Sequence, residues 1–226
     1  MMTSLHILFL SLSMLLQLQG TASLEGVLQK MDEAAINFHN TQADFVWDQY
    51  QKVVDEHDKQ KGTVYYRREG KEIEMMAEIK EPDSKFVLYK DRKLQVYQPK
   101  IEQVIVYPTA GNQSEIESYL VLGFGGSGQD LKKSFEVSYL GEETVDGIAT
   151  GELQLIPKSE KFRNNISKIL LWIDLSRGIS VQQQFFQGQG DYRLAKYSGV
   201  QMKAKFGNDV FQLKTTKKTQ FVSPRG

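Results

Sequence analysis

Residues 85–107 read KFVLYKDRKLQVYQPKIEQVIVY. Three short runs, KFVLY, KLQVY and EQVIVY, are rich in aromatic and β-branched residues, and KDR and QPK separate them. Runs of this length broken by tight turn residues spell consecutive antiparallel strands, not strands joined by helical crossovers. The stretch therefore predicts a meander.

The same period extends outward. Upstream, Ile73, Met75, Ala77 and Ile79 alternate with Glu72, Glu74, Met76 and Glu78, and the turn EPDS follows. Before them come TVYYRRE and a strand with Phe45 and Trp47 on one side and Asp44, Val46 and Asp48 on the other. The polar stretch VVDEHDKQKG at 53–62 breaks the alternation and predicts a long hairpin loop. Downstream, SEIESYLVLGFG predicts a helix closed by glycine, and QDLKKSFEVSYL a helical turn running into a strand. Five further segments predict strands: GIATGELQLIP, SKILLWIDL, ISVQQQFF, DYRLAKYSGV and NDVFQLKT. No internal repeat or linker interrupts the pattern, so one domain over 24–226 is expected. The fold class is α+β, with most strands paired to their sequence neighbours.

At the N-terminal side, Leu24, Val27, Leu28, Met31, Ala35 and Phe38 recur at helical spacing against a polar face, an amphipathic helix. Before it, Ile7–Leu18 (ILFLSLSMLLQL) is apolar and uncharged, and Gly20, Thr21, Ala22 and Ser23 are small. That is the pattern of a secretory signal peptide over 1–23, cleaved after Ala22 or Ser23, although MMTSLH carries no Lys or Arg. The rival reading is an uncleaved anchor, but the run is shorter than the roughly 20 apolar residues of a comfortable span. Export to the periplasm is expected.

The 226 residues hold 28 basic and 28 acidic side chains, no cysteine and three histidines. Balanced charge without a basic run argues against a nucleic-acid partner. Lack of cysteine excludes disulfides and zinc–thiolate sites. His39 and His57 show no metal-like spacing, and no hydrolase constellation stands out, so the expectation is not an enzyme, with no cofactor and no metal. Gly123–Gly128, GFGGSG, satisfies G-x-G-x-x-G literally. A dinucleotide site needs a strand before that motif and a helix after it, whereas here a helix precedes; a flexible glycine-rich break is the reading.

What remains is apolar. The candidate cavity lining takes Leu28 and Met31 from the first helix and Phe45, Trp47, Ile73, Met75, Ala77 and Ile79 from the early strands. It continues with Leu88, Leu94 and Tyr97 in the meander, Leu120, Leu122 and Phe124 in the middle, and Leu171 and Trp172 beyond. A single sheet with few helices must curl to cover one face, and a curled sheet can enclose a ligand. Methionine suits a lining that accepts variable chains. Periodicity alone does not separate such a cavity from an ordinary core.

The chain resembles the LolA family of periplasmic lipoprotein carriers. The resemblance rests on Asp91, Lys93, Leu94, Tyr97 and Pro99 in DRKLQVYQP, on Glu102 and Gln103 after them, and on Ile169, Leu171, Ile173 and Asp174. It implies a single curled antiparallel sheet, an incomplete half-barrel lidded by α-helices over a hydrophobic cavity. It implies a monomer that takes acylated lipoproteins from an inner-membrane ABC release complex and passes them to an outer-membrane acceptor. The family's lid-controlling arginine falls at Arg68, where Glu69 replaces the usual proline and a longer hairpin is expected. A carrier of another lipid, such as a glycolipid or fatty-acyl compound, and an envelope-stress sensor or interaction module are alternatives on the same fold.

Overall fold

The period-two runs form one sheet. The computed structural model describes residues 22–70, 72–109 and 113–224. The apolar run at 7–18 lies outside the described residues, as does nearly all of the predicted signal segment. Helix α1 (Leu24–Ile36) starts at Ser23, whose Oγ accepts the Gly26 N–H at 3.2 Å, and buries Val27, Leu28 and Met31. Six strands follow: β1 (Asn40–Gln51), β2 (Glu56–Glu69), β3 (Glu72–Glu81), β4 (Lys85–Lys90), β5 (Lys93–Gln98) and β6 (Gln103–Tyr107). Helices α2 (Gln113–Leu120) and α3 (Gly128–Ser134) precede β7 (Phe135–Val145) and β8 (Ile148–Pro157). The short helix α4 (Glu160–Arg163), β9 (Lys168–Asp174), β10 (Ser180–Phe186), β11 (Tyr192–Gln201) and β12 (Gln220–Val222) complete the chain.

The strand order is β12-β6-β5-β4-β3-β2-β1-β11-β10-β9-β8-β7, a curled sheet that does not close, with β12 and β7 at its edges. The strand pairings are antiparallel except β12 on β6, which is parallel. The joint between the two halves is β1 on β11, where Trp47 faces Ala195 and Gln49 faces Arg193.

Two local expectations change, and one expected turn gains a feature. The stretch 53–62 is not a loop: only Lys52–Asp55 turn, and from Glu56 the chain pairs residue by residue with β1. It looked like a loop because this end of the ribbon buries neither face, leaving nothing apolar to mark the strand. The segment at 208–215 is not a strand but a 3-10 turn, Asn208–Phe211, in a strap across the outer face. There Phe211, Phe206 and Val210 cover Met76 and Leu88, and the Arg67 guanidinium lies 4.6 Å from the Phe211 ring centre. The turn at 91–92 has φ of 50° at Asp91 and 58° at Arg92, a hairpin with both central residues left-handed. Arginine is costly there, and its carbonyl, which accepts from the Thr109 hydroxyl, would survive substitution. Arg92→Gly is expected to stabilise the fold by about 0.5–1 kcal/mol, read as a raised urea midpoint.

Asp174, at the end of β9, caps the following turn. Its carboxylate accepts from the Ser176 N–H (2.8 Å) and hydroxyl (2.6 Å) and from the Arg177 N–H (3.1 Å) and Nε (2.6 Å). Burial alone would raise its pKa; the hydrogen bonds outweigh burial and hold it below the usual aspartate value. A depressed folded pKa lends stability above the unfolded value, lost as pH falls through the folded one. Asp174→Asn is expected to cost about 1–2 kcal/mol at pH 7 and to flatten the acid limb of a stability–pH curve below about pH 4.

Candidate functional site

Alternation sends adjacent residues of β2 to opposite faces. Arg67 points outward, bonding Glu74 Oε2 through Nε at 2.6 Å and also Asn208. Arg68 points into the concave face, and its Nη2 donates to the carbonyl of Gly125 at 2.8 Å. Its guanidinium also lies 5.0 Å from the Phe38 ring centre. Burial lowers its pKa from the ordinary value, partly offset by the charge of Asp130.

Gly125 belongs to the segment Val121–Gly126 between α2 and α3, every residue of which is buried. Phe124, Gly125 and Gly126 all donate their N–H to the Val121 carbonyl at 3.1 Å, a tight knot. The glycine run is a seated plug, not the flexible break its composition implied. Gly123 has φ +73°, and a Cβ there would stand 2.2 Å from Ser180 Cβ; one on Gly125 would stand 2.3 Å from the Phe38 ring. Glycine is required because the backbone itself enters the half-barrel. Leu122 packs with α1, β8 and β9, while Val121 and Phe124 pack with β1–β4. Phe124 is stacked on Tyr66 (5.6 Å between centres) and meets Tyr197 edge-on (4.6 Å).

Besides Arg68, three groups tie the plug down. The Ser180 N–H donates to the Gly123 carbonyl at 2.6 Å, and Gln183 Nε2 to the Leu122 carbonyl at 2.6 Å. At the start of α3, the Gly128 N–H donates to Asp32 Oδ1 of α1 at 2.7 Å. Tyr89 donates its hydroxyl to Glu117 of α2 at 2.8 Å, and burial followed by that bond pushes the phenol up. The helical layer thus rests on a mostly apolar bed through a handful of polar links.

Two cavities open on the concave side, one at the plug and one away from it. One, about 570 Å³, opens beside Arg68, Ile73, Val121 and Leu131. The other, about 260 Å³, lies towards the β1–β2 hairpin among Trp47, Ile79, Val87, Val96 and Arg193. Eight residues of β2 separate Arg68 from Gln60 at the second cavity, about 27 Å along the strand.

Of the candidate lining residues, Phe45, Trp47, Ile73, Met75, Ala77, Ile79, Leu94, Leu120 and Phe124 gather on the concave face of the β1–β5 half. Leu28, Met31, Leu122 and Leu171 gather under α1 in the other half. Three are corrected. Leu88 lies on the outer face with Met76 and Phe211, and Tyr97 stacks there on Phe86. Trp172 is also outside, packed on Val145 and Val181 and donating to Glu143 at 2.6 Å. Parity decides all three: with Leu171 inward its neighbour must face outward, and Leu94 and Tyr97, three apart, cannot share a face. Sequence reasoning missed Asp32, Phe38, Tyr66, Ser180, Gln183, Arg193 and Tyr197. A strict parity count from Phe45 through the ladders would have placed Tyr66 and Tyr197 inward, but nothing local marks Gln183 or Asp32.

His57 meets Asp48 across the hairpin at 2.8 Å, a pairing that spacing did not disclose. Among the described residues no group of three or more His, Cys, Asp or Glu could hold a metal, and no helix is long and apolar enough to cross a membrane.

Residues 37–214 match the sequence model of a family described as outer membrane lipoprotein carrier protein LolA. Among solved structures, the chain is similar to an uncharacterized conserved protein from Thermus thermophilus, at 12% identity over 90% of this chain and 100% of that one, with a TM-score of 0.57. It is also similar to MucB, at 14% identity over 86% of this chain, with a TM-score of 0.52; it spans 64% of MucB's length. Comparison with curated proteins gave no match. At such identities the structural likeness concerns the fold.

Proposed function

Since the chain belongs to the outer membrane lipoprotein carrier protein LolA family, matched over 37–214, we propose that it is a periplasmic carrier that shelters acyl chains of lipoproteins between its sheet and its helices. The observation that carries this reading is the Val121–Gly126 plug: an apolar concave face covered by a segment held through a few hydrogen bonds.

Magnitudes permit exchange of plug for cargo. Burying about fifteen methylenes of one acyl chain is worth roughly 12 kcal/mol. Breaking three or four hydrogen bonds, one to a charged donor, costs about 5 kcal/mol. Uncovering Val121, Leu122 and Phe124 costs roughly a further 1.5–3 kcal/mol for each side chain, so loading and opening come close to balance, which keeps release possible without ATP at the carrier. Arg68 acts as the latch in this reading, because its bond to Gly125 exists only while the plug is seated. Residues 1–23 serve as the export signal, and 24–226 as the carrier domain. An inner-membrane ABC release complex loads the cargo, and an outer-membrane acceptor takes it.

The test is extraction. Purified protein is incubated with inner-membrane vesicles bearing a lipidated substrate, and the soluble fraction is assayed. Release well above a buffer control is expected; release equal to buffer would remove the carrier reading.

A further inference from the structure

Arg193 stands apart from the half-buried Arg67 and Arg68 and from the exposed Arg163 and Arg177. Arg67 pairs with Glu74, Arg68 with the Gly125 carbonyl, Arg163 with the Pro157 carbonyl and Arg177 with Asp174. Arg193 sits on β11 with its side chain inward, like Tyr197 four residues on. Its guanidinium lies 4.9 Å from the Phe185 ring centre and 5.4 Å from that of Trp47. Among the described residues its electrostatic neighbours are the phenols of Tyr197 and Tyr66, not a carboxylate. Burial lowers its pKa, and in turn burial pushes Tyr197 up to about 12, so neither phenol supplies a counter-charge at neutral pH.

A guanidinium carries five donors and no acceptor. Aromatic faces offset part of its desolvation but satisfy none of those donors. Arg193 also lines the cavity of about 260 Å³, whose walls are Trp47, Ile79, Val87 and Val96 and whose charged rim is Lys85 and Asp58. Asp58 accepts from the neutral Gln60 amide at 3.0 Å and keeps its charge, but Arg193 and Lys85 together outweigh it and leave the lining net positive. Apolar walls with an unanswered fork of donors describe a site for an amphiphile with an anionic end.

We propose that Arg193 anchors an oxyanion, carboxylate or phosphate, on the acyl cargo at the hairpin end of the half-barrel, while the tail lies along the concave face vacated by the plug. This rests on the carrier reading of the half-barrel and moves its cargo from lipoproteins, whose ester- and amide-linked chains bear no oxyanion, to an anionic amphiphile. The planar fork matches either oxyanion in bidentate fashion.

Trp47, in contact with Arg193, supplies a reporter, and Trp172→Phe on the outer face removes the other tryptophan. Three probes of equal chain length, hexadecanoate, hexadecyl phosphate and neutral hexadecanol, are titrated into the full-length mature chain. Both anions are expected to bind at least about tenfold more tightly than the alcohol. The tighter of the two anions identifies the headgroup chemistry. Arg193→Gln should erase the difference between the anions and the alcohol, and Arg193→Lys should keep part of it. Equal affinities for all three probes in the unsubstituted protein, or a preference that survives Arg193→Gln, would overturn the anchor and leave the carrier standing. Binding of none of them would overturn both.

Discussion

Gly123→Ala is expected to unseat the plug and to cost about 3 kcal/mol or more of stability. Two independent effects act at that position. With φ at +73°, any Cβ collides with its own backbone. That Cβ would also stand 2.2 Å from Ser180 Cβ, and Ser180 has little room to retreat. It is fully buried at the irregularity in the β9–β10 ladder, with its hydroxyl donating to the Gln182 carbonyl at 2.9 Å. The loop must move instead, breaking the Ser180 and Gln183 bonds to Gly123 and Leu122. Gly126→Ala is the matched control: its added Cβ would lie 3.4 Å from the Val121 carbonyl oxygen, so less than about 1 kcal/mol is expected. Urea denaturation gives the stability, and hydrogen exchange at the Ser180 and Gly125 amides reports the loop. If Gly123→Ala behaved like Gly126→Ala, the loop would not be a tightly seated plug.

The same residues show what the sequence could and could not reveal. The meander was legible at 85–107 because each strand buries a face and each turn carries turn residues. The family was legible because DRKLQVYQP and the ILLWID strand keep their spacing. The paired start of β2 was hidden, since EHDKQ forms a ribbon with no buried face and gives alternation nothing to act on. Trp172, Leu88 and Tyr97 were assigned to the cavity by size and chemistry, where parity should have ruled. The plug was hidden for a different reason. Glycine runs read as flexibility, and only the approach of Ser180 and Phe38, 57 and 87 residues away by number, makes these glycines a packing requirement. The polar ties share that character: Gln183 and Asp32 acquire partners only across the fold. Arg193 escaped because nothing local in YRLAKY marks an arginine as facing inward; only the ladder puts it opposite Gln49 and turns its guanidinium onto Trp47.

Arg68→Leu is expected to speed opening and slow delivery. Leucine retains apolar bulk beside Phe38 but removes the donor to the Gly125 carbonyl. A hydrogen bond from a charged donor is worth about 1.5–3 kcal/mol, so the closed-to-open ratio should fall by about 10–100-fold. Cargo binds only the open form in this reading. Weakening the closed form therefore raises apparent affinity by up to the same factor, since less closure has to be displaced. The variant should load acyl probes more tightly and surrender them more slowly to acceptor liposomes, although the empty protein melts at a lower temperature. Arg68→Lys should fall between, because an ammonium reaches a carbonyl but lacks the planar face that lies over Phe38. Release at the unsubstituted rate, with stability unchanged, would dismiss the latch. The effect should also be blind to headgroup: Arg68→Leu should shift hexadecanoate and hexadecanol alike, since it acts on the equilibrium of the plug. Arg193→Gln should instead close the gap between the two. A carrier with one basic group governing closure and another governing cargo charge would show those two signatures separately, and the double variant would show their sum, because the two arginines touch different rings and only Arg68 holds the plug.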